Sequence, residues 1–107
     1  MAQRIGQTEF EEKVLQEKLP VLVDFYSDSC MPCKQLAPVL GDIEEEYEGK
    51  LQVYKVNVNF EEGLTAEYQI MGAPTLILFQ DGEAKGKKRG FVKKAELQEW
   101  IQSVVAI

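Results

Sequence analysis

Cys30 and Cys33 are the only thiols of the 107-residue chain, and they stand two residues apart in the stretch DSCMPCKQL. That spacing suits three jobs: reversible disulfide exchange, half of a metal site, or a structural staple. A staple across four residues restrains the unfolded chain by only about 2 kcal/mol on the loop-entropy account, against about 3 for a fifteen-residue loop. A zinc site needs four ligands, and the chain has no His and no third Cys. Metal binding would therefore have to recruit carboxylates or a second chain. Redox chemistry is the favoured reading of the pair, with metal and staple left as alternatives.

The elements on either side say how the pair would be held. PVLVDFY at 20–26 is an apolar, β-branched run of the kind found in strands covered on both faces. From Pro32 to Tyr47 the residues Leu36, Leu40, Ile43 and Tyr47 recur at helical spacing, with Pro38 expected to kink the helix. The pair thus falls at a strand-to-helix junction, where the sites of open α/β sheets cluster. With Cys30 at the helix N-cap and Cys33 one turn inside, the Cα atoms would be about 5 Å apart. A disulfide spans Cα separations of about 4.4–6.8 Å, so the bond closes and opens with little backbone movement. Free amides and the positive end of the helix dipole favour a thiolate at Cys30 over Cys33. That makes Cys30 the nucleophile and Cys33 the resolving thiol. Pro32 suits the first turn, where a missing N–H costs nothing.

Asp24 interrupts the apolar strand six residues before Cys30. Burial would raise its pKa and fit it to exchange protons with a nearby thiol. The rival reading is a structural Asp paired with a lysine or a buried water, with Lys55, itself inside the apolar strand LQVYKVNVN at 51–59, as a candidate partner.

The remaining order is legible from periodicity. TEFEEKVLQEKL predicts a first helix, with Thr8 and Glu11 at capping-box spacing and Phe10, Val14 and Leu15 on one face. A short strand at RIG is expected before it. EEGLTAEYQI predicts a short helix, PTLILFQ a strand, and Asp81-Gly82 a two-residue hairpin into EAKGKKRGF. KKAELQEWIQSVV predicts a terminal amphipathic helix, with Trp100 in the core. The result is an α/β sandwich with a mixed sheet.

Composition bounds the function classes. With 45% hydrophobic residues and no repeat or linker, the chain is expected to be one domain over 1–107. A net charge of −6 argues against a nucleic-acid partner held through phosphates. No apolar run has the length of a membrane span, and no signal peptide is legible in the chain as given. With only two Cys, a cytoplasmic location is expected. No glycine-rich phosphate cradle is present, and no bound cofactor is expected. Lys85, Lys87, Lys88 and Arg89 are read as protection of an edge strand in preference to a docking site for an acidic partner. Glu44 to Glu46 are read as a solvated helix face.

Taken together, VLVDFYSDSCMPCKQLAPVL, EYEGKLQVYKVNVN, GAPTLILFQDGE and the glycine of RGF resemble the thioredoxin family, in order and spacing, from about Thr8 to the C-terminus. The resemblance implies the thioredoxin fold, a central mixed β-sheet flanked by helices on both faces. It implies a protein-disulfide reductase in which Cys30 attacks, Cys33 resolves, Asp24 assists proton transfer at Cys33 and Lys55 lies beside Asp24. Pro74 would be a cis proline facing the disulfide, and the Ala73 backbone would pair with an extended substrate strand. Gly82 and Gly90 match glycines of the hairpin and of the surface beside the active site, and Phe91 next to Gly90 is a further candidate contact. The implied partners are protein disulfides and a separate thioredoxin reductase, with the protein itself a monomer. The family usually has Trp before the first cysteine and Gly after it, whereas this chain has Ser29 and Met31. Those two positions alter the contact surface and the surroundings of the Cys30 sulfur. The alternatives are a thioredoxin-like binding module without turnover and a metal-binding cysteine pair.

Overall fold

The computed structural model describes residues 2–107. Its elements run β1 (Gln3–Arg4), α1 (Gln7–Phe10, continued as a wider helical turn over Glu11–Leu15), β2 (Val21–Tyr26), α2 (Met31–Glu46), β3 (Gln52–Asn57), α3 (Glu62–Glu67), β4 (Thr75–Gln80), β5 (Glu83–Arg89) and α4 (Lys94–Val104). The sheet order is β1-β3-β2-β4-β5. The β1, β3 and β2 strands are parallel, whereas β4 and β5 run antiparallel to their neighbours. This is the α/β thioredoxin fold, with β2 at the centre as its doubly apolar pattern predicts.

Alternation along the strands sends side chains to two cores. Val21, Val23, Phe25, Val56, Ile77 and Phe79 pack under α1 and α3 with Phe10 and Leu64. Leu22, Val53, Leu76 and Leu78 face α2 and α4, meeting Leu36, Leu40, Ile43, Leu97 and Ile101. Asp24 shares its parity with Leu22, so the one acid of the central strand points toward α2 and not into the aromatic cluster on the other face.

Several local readings shift. The first helix begins at Gln7, two residues before the Thr8–Glu11 box would place it. Gly6 is the N-cap and its N–H donates to Glu9 Oε1 at 3.0 Å, while the Gln7 N–H donates to Glu61 Oε1 at 2.9 Å. A carboxylate from the β3–α3 loop thus satisfies an amide that a Thr8 cap would have left to water. The helix then widens, with the Gln16 N–H reaching back to Glu11 O at 2.9 Å, and Leu15 ends only partly buried. The short first strand covers Gln3–Arg4, with Ile5 donating onward to Lys55 O at 2.9 Å. Trp100 is half-buried, packed against the core with Lys88 Nζ 5.9 Å from its ring centre. Asp81 (φ 56°) and Gly82 (φ 78°) form the primed two-residue turn that their sequence predicts. The strand it leads into, β5, is the sheet edge, where the lysines were expected. Lys85 and Lys88 pair there with Glu83 and Glu96 at 2.8 and 3.3 Å.

Candidate functional site

Cys30 is the N-cap of α2, with extended backbone (φ −98°, ψ 112°), and Cys33 sits in the first turn. The two form a disulfide with a Cα–Cα separation of 5.2 Å, matching the separation expected from helix rise and radius. Pro32 lies between them, where its missing N–H removes no helical bond. The Cys33 N–H donates to Cys30 Sγ at 3.1 Å, and the Lys34 N–H to Cys30 O at 3.2 Å. The cysteines differ in access: Cys30 is half-buried, whereas Cys33 is 5% exposed. Ser29, Met31 and Pro32 around them are exposed.

The opposite wall comes from the segment before β4. The Ala73–Pro74 peptide is cis, Pro74 is buried, and the Ala73 carbonyl oxygen lies 3.4 Å from Cys30 Sγ. Thr75 Oγ1 donates to Gly72 O at 2.6 Å, bracing the turn from its far side. Gly90, in the left-handed region at φ 88°, donates its N–H to Pro74 O at 2.8 Å. That bond ties the 90–91 segment, with half-exposed Phe91, to the same wall.

Behind the disulfide, Asp24 is 4% exposed and its Oδ1 has no hydrogen-bond partner among the described residues. Burial pushes its carboxyl up to about 7, against partial opposition from the attraction of the Lys55 ammonium. Asp24 and Lys55 are register partners in the parallel β2–β3 pair. They do not form an ion pair among the described residues, because Lys55 Nζ sits 5.1 Å from the centre of the Tyr26 ring. Among the described residues the direct Lys55 pairing is therefore absent, although Lys55 stays close enough to act through its field. Asp24, Lys55, Lys34 and Cys33 line one open cavity of about 160 Å³, so the buried acid and the inner cysteine share a pocket.

A polar network beneath the active-site loop was not legible in the sequence. Buried Asn57 donates through Nδ2 to Asp28 Oδ2 at 3.2 Å and accepts the Asn59 N–H on Oδ1 at 2.9 Å. Asn59 Nδ2 donates to Ser27 Oγ at 3.3 Å, and Ser27 Oγ also accepts the Ser29 N–H at 3.4 Å. The hydroxyls of Ser27 and Ser29 lie 3.3 Å apart. The only available signal was Asn57 itself, a polar residue at the end of an apolar strand, as Asp24 is within its own. Among the described residues, no group of three or more His, Cys, Asp or Glu side chains is arranged to hold a metal ion.

Comparison with known proteins agrees with this geometry. The family model described as Thioredoxin matches residues 2–103. The chain is 39% identical over 105 residues to the thioredoxin of Rickettsia felis, covering 98% of this chain and all of that protein. It is 39% identical over 94 residues to the thioredoxin of Pseudomonas aeruginosa, covering 88% of this chain and 87% of the relative. It is 36% identical over 104 residues to the chloroplastic M-type thioredoxin of Spinacia oleracea, covering 97% of this chain and 58% of the relative. With a closable cysteine pair at the mouth of a strand-to-helix junction and these relatives along nearly its whole length, the chain belongs to the thioredoxin family and is a dithiol–disulfide oxidoreductase.

Proposed function

We propose that this protein works as a reductase of protein disulfides, with Cys30 as the attacking thiolate. The observation that carries this reading is the inequality of the two cysteines: the outer sulfur accepts the Cys33 N–H at the positive end of α2, and the inner one lines a cavity with Asp24. The amide and the dipole stabilise negative charge at Cys30 and so lower the cost of its thiolate. That thiolate attacks one sulfur of a partner disulfide, forming a mixed disulfide and expelling the partner's other sulfur as a thiolate. Cys33 then gives its proton to the Asp24 carboxylate, directly or through water in their shared cavity. Its thiolate attacks Cys30, and the partner's second sulfur leaves. Two electrons pass to the partner, and Cys30 and Cys33 end as the disulfide.

Lys55 moderates the basicity of Asp24 through its positive charge. Ser29, Met31, Pro32, Ala73, Pro74, Gly90 and Phe91 form the partner-binding rim, and the Ala73 backbone pairs with an extended partner segment. A separate thioredoxin reductase returns the disulfide to the dithiol, which makes the protein a carrier of electrons between proteins. One domain spans the chain, acting as a monomer. A cytoplasmic setting fits two cysteines that are both committed to the redox pair. Among the described residues, no helix is long and apolar enough to cross a membrane.

Reduction of insulin with dithiothreitol as electron source tests the reading. Wild type is expected to accelerate the reaction well above the dithiothreitol background, Cys30→Ser to abolish the acceleration, and Cys33→Ser to accumulate a mixed disulfide. Equal rates for wild type and Cys30→Ser would favour a binding module or a metal-binding pair and reject turnover.

A further inference from the structure

The basic residues of β5 do not behave alike. Lys85 and Lys88 have acidic partners, and Lys87 Nζ donates to the carbonyls of Tyr68 and Gln69 at 2.8 and 3.1 Å, closing the end of α3. Arg89 is different. It is exposed, and among the described residues its side chain has neither an ion pair nor a hydrogen bond, in a chain with eighteen acids and twelve bases. Its guanidinium is nevertheless well placed. A methyl group on Gly72 would meet Arg89 Nη2 at 2.9 Å and Nε at 3.3 Å, so the planar group lies over the Gly72 backbone in space that only glycine leaves open. Gly72 adjoins Ala73, whose carbonyl is 3.4 Å from Cys30 Sγ.

A groove of about 280 Å³ opens there, lined by Gln69, Met71, Thr75, Lys87 and Arg89. Its lining has two cations, one strongly exposed methionine (80%) and no acid. The two like charges repel, and an incoming carboxylate would relieve that repulsion while meeting the forked donors of Arg89 in a bidentate contact. Met71 supplies an adaptable apolar floor for the carbon stem of the same side chain.

We propose that Arg89 and Met71 form a specificity subsite that binds an acidic side chain of the partner protein within about two residues of the attacked cysteine. The distance follows from a rise of about 3.3 Å per residue in an extended segment lying along Gly72 and Ala73. Arg89 thus departs from the edge-protection reading of the four basic residues and has a recognition role. This inference rests on the reductase reading and names the partner chemistry for the same site.

Three synthetic disulfide-bonded peptides test it, identical except for Glu, Gln or Lys at the positions within two residues of each cysteine. Their reduction is followed with dithiothreitol recharging the protein. Wild type is expected to prefer the Glu peptide over the Gln peptide by about two- to fivefold in kcat/KM, the range of an exposed ion pair. The preference should shrink as salt shortens the screening length. Arg89→Ala should bring the Glu-to-Gln ratio near one, and Arg89→Glu should invert the order in favour of the Lys peptide. A wild-type ratio near one, or a ratio that neither substitution changes, would overturn the subsite while leaving the reductase reading intact. If wild type reduces none of the peptides above the dithiothreitol background, the reductase reading fails and the subsite with it.

Discussion

Asp24 and Lys55 lie side by side in the parallel register of β2 and β3, yet the lysine ammonium rests over the Tyr26 ring and leaves the carboxylate without an ion pair among the described residues. The acid is consequently buried with one oxygen lacking any hydrogen bond, and desolvation dominates its titration.

The first prediction concerns stability. The pKa of Asp24 rises from an ordinary 3.8 to about 7 on folding, so between those values the folded state binds more protons than the unfolded one. Its stability contribution is therefore fully present below pH 3.8 and is lost as pH rises through 7. The loss amounts to about 4 kcal/mol at most, from roughly three pH units at about 1.4 kcal/mol each. Asp24→Asn removes the titration, so its stability relative to wild type should climb by a few kcal/mol between pH 4 and pH 8, on top of a constant offset for the amide. Chemical denaturation at pH 4, 6 and 8 measures this, and a difference that stays flat with pH contradicts the burial argument.

The same residue governs the second step of exchange. If the Asp24 carboxylate takes the Cys33 proton, resolution of a preformed mixed disulfide should speed up as pH rises through about 7. In Asp24→Asn that rise should move toward the titration of the thiol itself, with the rate at pH 7 lower by about a hundredfold, the lower end of the range for positioned general bases. Stopped-flow release of the partner gives the profile, and superimposable wild-type and variant curves would remove Asp24 from the mechanism.

Ser27 gathers the polar network under the loop, accepting from Asn59 Nδ2 and from the Ser29 N–H through one oxygen. Ser27→Ala strands both donors, which are free to turn to water at this exposed position, so the loss should be about 1 kcal/mol. Because the segment leads directly into the Cys30 cap, the oxidised and reduced proteins should lose unequal amounts. Thermal unfolding of both forms gives those two losses, and their difference equals the change in reduction potential measured against a glutathione buffer. Equal losses would confine the network to a structural role.

Met31 and Phe91 are 64% and 44% exposed on either side of the disulfide wall. Substitution of each by Ala should raise KM for a protein disulfide by about three- to tenfold through lost apolar contact. The rate of reaction with dithiothreitol, which needs no such surface, should change far less. An unchanged KM in the double variant would place partner binding elsewhere.

Much of this was legible because local rules acted alone. The doubly apolar β2, the helical spacing of Leu36, Leu40 and Ile43, and the Asp81-Gly82 turn each follow from periodicity or from a φ requirement, and each lies where the sequence puts it. The Thr8–Glu11 spacing places the first helix two residues late because two contacts hold the earlier start: the local Gly6 N–H to Glu9 bond, which needs no Ser or Thr, and Glu61, which reaches across from another loop to the Gln7 N–H. Helical periodicity predicts Trp100 in the core, but its ring packs against the core from the edge of the sheet, so it is only half-buried and Lys88 Nζ lies 5.9 Å from its centre.

By itself the sequence determined the chemistry of the pair. Two cysteines at that spacing in front of an amphipathic helix define a closable disulfide and an inequality between its sulfurs, because N-cap geometry and helix dipole are properties of neighbouring residues. Tertiary structure alone decided what surrounds them. Ala73 reaches Cys30 across 43 residues, Asp24 comes to share a cavity with Cys33 where β2 passes beneath α2, and Arg89, which β5 brings over Gly72, has no acidic partner among the described residues. These relations depend on strand order and register, which bring distant residues together through packing of both sheet faces and leave no trace in any local pattern of letters.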